Sequence, residues 1–143
     1  MASLDPLARR DFLRTLMEFT AEYGASVILS SHLVADLERV CDYLIVLAQA
    51  QVLLAGDVDE LLSTHPRLIG PRDGAAPAGA TVVHASHTDR QSTLVVRSTV
   101  PCEQNGWSSE RLDLEDLVLA YMSSAADSRR PAARAALATG DAR

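Results

Sequence analysis

A short apolar run between two helical segments restricts the fold more than any other feature of the sequence. Residues 26–30 read Ser-Val-Ile-Leu-Ser, and the run starts with β-branched side chains, which favour strands. A short strand without polar alternation, with helices on both sides, is typical of a buried strand in a parallel sheet. The run therefore predicts an α/β fold, in which helices cover the faces of the sheet.

The segments that flank the run carry helix signals. Asp5 can cap a helix, Pro6 suits the first helical position and Gly24 suits the end, which predicts a helix over about 6–23. A shorter helix is expected from Leu33 to about Cys41. The first helix should be amphipathic, since its apolar stripe comprises Leu13, Leu16, Met17, Thr20 and Tyr23.

Two more apolar runs follow and predict a hairpin of strands. They cover Tyr43–Leu47 and Val52–Ala55, with a tight connection between them. Asp57 followed by Glu60 resembles a capping box, so a helix is expected from there through about Thr64.

Composition changes after this helix and suggests how the domains are organised. The stretch 66–79 holds three of the seven glycines and three of the six prolines, which predicts a linker or loop. We therefore divide the chain into a domain at 1–64, a linker at 65–79 and a small accessory hairpin and helix at 80–124. The Ala- and Arg-rich residues 125–143 are expected to form a disordered tail.

The accessory segment has its own strand and helix signals. Thr81–Ala85 and Thr93–Arg97 flank a polar turn and predict a second hairpin. Asp113 can cap a closing helix. The apolar face of that helix would comprise Leu114, Leu117, Val118, Tyr121 and Met122.

Charge and hydropathy exclude some classes of partner. The net charge is −6, no Lys occurs and the sequence shows no basic patch that could neutralise the phosphates of a nucleic acid. We therefore expect no nucleic-acid partner. The longest apolar stretch, 43–56, is shorter than the roughly 20 residues that cross a bilayer. Cys41 and Cys102 lack metal-ligand spacing and are expected to be reduced thiols in a cytoplasmic protein.

The segment Ser30-Ser31-His32 is where the pattern points to chemistry. The predicted strand ends there and a helix begins, and in open α/β sheets ligands bind outside the carboxyl ends of strands. Helix N-termini favour anions, and a His beside one can donate to a phosphate or help to orient a water. Taken alone, a single His after a strand is more often a cap or a satisfied polar residue.

The order of short motifs around His32 resembles the ATP-binding subunit of ABC transporters. Ser3-Leu4-Asp5-Pro6 resembles the D-loop of that family, and Ser30-Ser31-His32 resembles its switch-histidine loop. The helix after His32, then Cys41-Asp42 and the hairpin, resembles the end of the nucleotide-binding domain. The resemblance covers 2–64 and implies the C-terminal part of a P-loop NTPase domain, extended by a small hairpin and helix.

This resemblance implies roles for particular residues. His32 would contact the γ-phosphate and help to hold the attacking water. Asp5, with Ser3 beside it, would act across a dimer interface, and Leu4 and Ser31 would lie at the nucleotide or the interface. ATP and Mg²⁺ are the implied cofactors, with most of their ligands outside this chain and no metal site within it.

The resemblance also implies partners and a location. A membrane permease and a second ATP-binding subunit are expected, with the protein in the cytoplasm at the inner face of the membrane. Leu114–Met122 resembles the closing helix of drug- and antibiotic-exporting members. The hairpin departs from the family at Ala48–Gln51, where a Gly commonly stands.

The phosphate-binding signature of the family is absent. That signature ends Gly-Lys-[Ser/Thr], and the sequence contains no Lys. No strand ending in Asp-Glu precedes Ser3 either. We therefore expect a chain truncated before the D-loop, which by itself is marginally stable and does not hydrolyse ATP.

Two other functions are compatible with the sequence. The chain could be a non-catalytic α/β interaction module, or a remnant, that pairs with a complete subunit. It could also be an unrelated small enzyme that uses His32 with Asp36 or Asp42. The other histidines, which lack metal-ligand spacing, are expected on the surface or in loops: they are His65, His84 and His87.

Overall fold

The computed structural model describes residues 5–103 and 106–128. The chain divides into two compact units, Met1–Cys41 and Asp42–Arg143, which are described separately below. Within the described residues, no helix combines the length and the apolar character needed to cross a membrane.

The first unit contains one long helix and one short helix. Helix α1 spans Pro6–Tyr23, and Gly24 ends it in the left-handed conformation with φ 59° and ψ 28°, as the sequence predicts. Helix α2 is restricted to Val34–Leu37, shorter than the segment predicted to reach Cys41. No residue of α1 is fully buried, although Leu13, Leu16 and Thr20 of its apolar stripe are half-buried.

The buried parallel strand predicted at 26–30 is wrong. These residues have no regular secondary structure, and the side chain of Ile28 is 99% exposed. A strand needs a neighbour that accepts and donates its backbone hydrogen bonds, and the described part of the first unit contains no other strand. Every strand pair described in the chain is antiparallel, so the fold mixes helices with antiparallel sheets.

The second unit begins with the predicted hairpin. Strand β1, Tyr43–Ala48, pairs with strand β2, Gln51–Asp57. The two turn residues are both left-handed, Gln49 at φ 51° and Ala50 at φ 61°. Two-residue hairpins commonly use this geometry, which favours Gly or Asn. The turn lacks the Gly that commonly stands there in the family, so Gln49 and Ala50 adopt a strained conformation, and the hairpin still forms.

Helix α3 follows directly and packs against the hairpin. It spans Val58–Thr64, and the Asp57 carboxylate accepts a hydrogen bond from the Glu60 N–H at 3.0 Å, which confirms the predicted cap. Leu61 is buried and packs against Gly56, where a Cβ would lie 3.1 Å from the Leu61 side chain.

A four-stranded antiparallel sheet forms the rest of the second unit. Its strands are β3 Arg67–Pro71, β4 Thr81–His87, β5 Gln91–Arg97 and β6 Ser108–Glu110, in the order β4-β5-β3-β6. The predicted hairpin, β4 with β5, is confirmed. The linker or loop predicted over 66–79 is wrong for β3, an inner strand whose Leu68 is fully buried.

The packing of Trp107 explains why a glycine occurs in the inner strand β3. A Cβ on Gly70 would lie 2.5 Å from two atoms of the Trp107 ring, so only glycine allows the ring to lie on β3. The indole Nε1–H donates to the Ala75 carbonyl at 3.0 Å and holds the ring in place. The surrounding cluster consists of Leu68, Leu94, Val96, Cys102 and Trp107, with Ala80 against it.

Helix α4, Leu114–Asp127, closes the second unit. The Asp113 carboxylate accepts from the Asp116 N–H at 2.7 Å, which confirms the predicted cap, and Leu114 and Leu117 are fully buried. The helix continues through residues 125–127, so the prediction of disorder from 125 is wrong there. Residues 129–143 of the predicted tail lie outside the described residues.

Candidate functional site

His32 lies in the segment that joins α1 to α2. The residue sits at a bend and its side chain is exposed. Its imidazole forms no hydrogen bond or ion pair with the described residues. The imidazole is therefore accessible to a ligand, although the strand that was expected to end beside it is not formed.

Ser31 fixes the backbone beside His32. Its Oγ accepts a hydrogen bond from the Leu33 N–H at 3.0 Å, a local turn that brackets His32. The serine does not cap α2, whose N-cap residue is Leu33 and has no side-chain cap hydrogen bond. Because the hydroxyl accepts from the chain itself, its structural contribution is to hold the loop from which the imidazole projects.

Asp5 stands at the N-terminal end of α1 without capping it through its side chain. Its carbonyl accepts from the Arg9 N–H at 3.0 Å, but its carboxylate makes no cap hydrogen bond, which corrects the predicted cap. The helix end is exposed, so water can satisfy the first N–H groups instead. Ser3 and Leu4, the other residues predicted for this segment, lie outside the described residues.

An ion pair joins the helices on either side of the His32 loop. Arg9 Nη1 of α1 donates to Asp36 Oδ2 of α2 at 3.1 Å, and both side chains are partly exposed. The pair ties the start of α1, where Asp5 lies, to the residues that follow His32. Asp36 is thus bound to Arg9 and forms no hydrogen bond to His32. The structure therefore does not support the alternative in which His32 and Asp36 act together in an unrelated enzyme.

The other histidines lie in the second unit. His84 and His87 are on β4, half-buried and exposed respectively, and His87 Nδ1 lies 2.7 Å from Ser92 Oγ. His65 lies in the short connection between α3 and β3, as the prediction of a loop position has it, but it is not on the surface, because the residue is 1% exposed. Its place four residues after the buried Leu61 is the helical spacing that could have indicated burial.

The described residues do not form a nucleotide site on their own. The sequence has no Lys to reach the outer phosphates. Across 5–103 and 106–128, no three His, Cys, Asp or Glu side chains are grouped so that they could hold a metal ion. The described residues therefore do not include a complete set of ligands for ATP and Mg²⁺. What the first unit presents is an exposed imidazole at His32 and an exposed residue at Asp5.

Part of the chain is similar to ATP-binding proteins of ABC transporters. It is 36% identical over 62 residues to an uncharacterized ABC transporter ATP-binding protein of Synechocystis sp., covering 43% of this chain and 17% of that protein. It is 34% identical over 62 residues to the energy-coupling factor transporter ATP-binding protein of Clostridium acetobutylicum, covering 43% and 22%. A phosphonates import ATP-binding protein of Maricaulis maris is 34% identical over 61 residues, covering 43% and 23%.

These similarities agree with the resemblance drawn from the motifs at the level of ABC transporter ATP-binding proteins. The chain spans about a fifth of the length of the relatives named above. No protein-family model matches the sequence. The relatives include an import protein, so the similarity does not single out drug exporters.

Proposed function

We propose that residues 1–64 are the C-terminal part of an ABC transporter nucleotide-binding domain, a P-loop NTPase that hydrolyses ATP to power transport. The observation that carries this proposal is the similarity of about 62 residues to ABC transporter ATP-binding proteins. The ordered motifs Asp5-Pro6 and Ser31-His32 support it. Residues 65–79 would connect this part to an accessory extension at 80–124.

In this proposal His32 acts on the terminal phosphate. A donor held near the γ-phosphate can stabilise charge that develops during phosphoryl transfer and can orient the attacking water. The exposed imidazole, with neither nitrogen used by the described residues, supports that role. The Ser31 turn would position the residue without contacting the reacting atoms.

The start of α1 would act at a dimer interface. Asp5, with Ser3 and Leu4 before it, would contact the second ATP-binding subunit and link the two nucleotide sites. The exposure of Asp5 and the lack of a side-chain cap leave its carboxylate accessible for such a contact. The Arg9–Asp36 pair would couple this segment to the His32 loop.

ATP and Mg²⁺ would be held mainly by residues outside this sequence. The phosphate-binding loop supplies backbone N–H groups and a Lys, and Mg²⁺ neutralises charge between the outer phosphates. Residues of this chain would add one donor, His32, to that site. The isolated chain is accordingly proposed to be inactive.

Exposed apolar side chains on the β1–β2 hairpin form a surface that a partner could cover. Ile45, Leu47 and Val52 are 57%, 66% and 60% exposed, and Leu47 pairs with Val52 across the strands. Paired residues share a face of the sheet, so these side chains form one apolar surface. Such surfaces mark interaction sites. We propose that the rest of a nucleotide-binding domain covers it.

A membrane permease is the further partner of the assembled domain, which would place it at the cytoplasmic face of the membrane. We propose export as the direction, on the resemblance of Leu114–Met122 to the closing helix of drug and antibiotic exporters. Helix formation over Leu114–Asp127 is compatible with that assignment.

A chimera tests the proposal. The segment of the Synechocystis protein that corresponds to residues 1–64 of this chain is replaced by residues 1–64, and Mg-ATP binding and hydrolysis are compared with those of the unmodified recipient. We expect the chimera to bind Mg-ATP and to hydrolyse it within about tenfold of the recipient's rate, a loss of about 1.4 kcal/mol in transition-state stabilisation.

The binding measurement separates a failed fold from a failed function. The recipient supplies the phosphate-binding loop, so ATP binding reports whether the chimera is folded. A chimera that binds ATP as the recipient does, yet shows no turnover, would show that these residues do not support hydrolysis. The non-catalytic interaction module would then be the better assignment.

A further inference from the structure

His65 is a buried polar residue for which the proposed function has no use. It follows α3, and the backbone on both sides is bonded to β5 and to the residue after it. Val96 N–H of β5 donates to the Pro66 carbonyl at 3.2 Å, and Ser98 N–H donates to the Thr64 carbonyl at 2.8 Å. The side chain is 1% exposed. A titratable ring is thus held where the end of α3, the end of β5 and helix α4 meet.

The hydrogen bonds of the ring determine its tautomer. Nδ1 lies 2.8 Å from the Leu61 carbonyl, which can only accept, so Nδ1 carries a proton and donates it. Nε2 lies 2.8 Å from the Tyr121 hydroxyl of α4. In the neutral ring Nε2 has no proton, so it accepts from the Tyr121 O–H.

The groups around the ring disfavour a positive charge. The pKa of His65 is lowered by burial first, raised by the hydrogen bond to Leu61, and lowered again by the charge of Arg97 on β5. Burial raises the pKa of Tyr121, so the phenol keeps its proton. The adjacent helix α3 contributes the uncharged Thr64 hydroxyl, 3.2 Å from Nδ1. The charge of Arg67, which follows on β3, is paired with Asp116.

We propose that the hydrogen bond between His65 and Tyr121 is an acid-sensitive latch that holds α4 against the end of α3. The neutral ring accepts from Tyr121, so the latch is closed at neutral pH. A second ring proton would occupy Nε2, and the Tyr121 hydroxyl would have to give up its own donor role. The new charge would also be buried beside Arg97.

The direction of the pH effect follows from these groups. In the unfolded chain His65 takes up a proton as the pH falls below about 6.5, whereas the folded chain resists it until a lower pH. The stabilisation is therefore complete above about pH 6.5 and is lost as the pH falls toward the lowered pKa. If the folded ring stays neutral, the unfolding constant rises by up to about 30-fold between pH 7.5 and pH 5.0 from this residue alone.

Urea unfolding of the full chain tests the latch. Fluorescence of Trp107, the one tryptophan in the sequence, reports the second unit, and unfolding constants are compared at pH 7.5 and pH 5.0. We expect acidification to raise the unfolding constant of the wild type roughly 10- to 30-fold more than that of His65→Gln, because glutamine can accept from Tyr121 but does not titrate. His84→Gln, which removes a half-buried histidine from β4, should keep the wild-type pH dependence.

Hydrogen exchange identifies the element that is released. In the wild type the amides of α4 should exchange faster at pH 5.0 than at pH 7.5 after correction for intrinsic rates, and His65→Gln should remove that difference. Equal acid losses in the wild type and His65→Gln would overturn the proposal, and so would an acid loss that His84→Gln abolishes.

An NMR titration of the wild type keeps the test independent of the variant's folding. The His65 ring resonances should titrate below pH 6.5, the ordinary value for a histidine, because burial lowers the pKa of His65. The α4 amide shifts should follow the same midpoint. A His65 midpoint at or above pH 6.5 would contradict the latch.

Discussion

Replacing His32 with alanine in the chimera is expected to lower the turnover of ATP about 100-fold or more while ATP affinity stays within a few-fold of the unsubstituted chimera. A positioned donor or proton-transfer group contributes about 10²–10⁴-fold to a rate, and this imidazole is the titratable group that the loop presents. Steady-state hydrolysis gives kcat, and a fluorescent ATP analogue gives affinity.

The structure predicts that this loss is separable from stability. The imidazole is exposed and makes no hydrogen bond within the described residues, and changes at such positions alter stability by about 0.5 kcal/mol or less. Arg39→Ala is the matched control, because Arg39 is exposed on the segment that follows α2. Turnover that is equal in both variants would remove His32 from the proposed chemistry.

Gly70→Ala is expected to destabilise the second unit by about 3 kcal/mol. The new methyl would lie 2.5 Å from Cδ2 and Cε3 of Trp107, too close for any real contact. The ring cannot move away without breaking its hydrogen bond to the Ala75 carbonyl. Overpacking of this kind typically costs about 1–3 kcal/mol, and the anchored ring places this site at the upper end. Urea unfolding measures the loss.

A double-mutant cycle identifies the ring as the cause. In a Trp107→Leu background, which removes the ring atoms nearest Gly70, Gly70→Ala should cost less than about 1 kcal/mol, giving a coupling energy of about 2 kcal/mol. Far-ultraviolet circular dichroism monitors unfolding in all four proteins, since the tryptophan signal is lost in two. An unchanged cost in the leucine background would show that the backbone of β3, not Trp107, rejects the methyl group.

Local signals in the sequence predicted much of the second unit. The caps at Asp57 and Asp113 and the apolar faces of their helices depend on residues three or four positions apart, so a single sequence contains the whole signal. The hairpin of β1 and β2 also forms as predicted, although Ala50 takes a left-handed conformation that the composition gave no reason to expect.

Features that depend on distant residues could not be predicted in the same way. The apolar character of residues 26–30 predicted a strand, but no strand forms there, because the described part of the first unit contains no strand that could pair with it. Gly70 lies in a stretch whose composition is typical of a loop. It is nevertheless part of β3, where a residue without a Cβ is needed because the ring of Trp107, 37 positions away, packs on it. His65 is buried by Tyr121, which lies 56 positions away.

The candidate site remains a prediction from motifs, and the local geometry around it could not be predicted from them. His32 and Ser31 lie on an exposed loop, as a ligand site requires, but the ion pair between Arg9 and Asp36 was not foreseen. That pair joins residues from two helices, and no local pattern links them. The sequence suggested Asp36 as a partner of His32, whereas its carboxylate contacts Arg9.

The most direct test of the proposed function is a complementation experiment. The whole chain is mixed with the Synechocystis protein from which the 62 matched residues have been deleted. Mg-ATP hydrolysis is measured for each component and for the mixture, and co-elution on gel filtration reports association. We predict no hydrolysis by this chain alone, co-elution of the two proteins, and hydrolysis only in the mixture. Hydrolysis by this chain alone would contradict the proposal that ATP and Mg²⁺ are held mainly by residues outside it. Co-elution without hydrolysis would contradict the proposed contribution of this chain, through His32, to an ATP site.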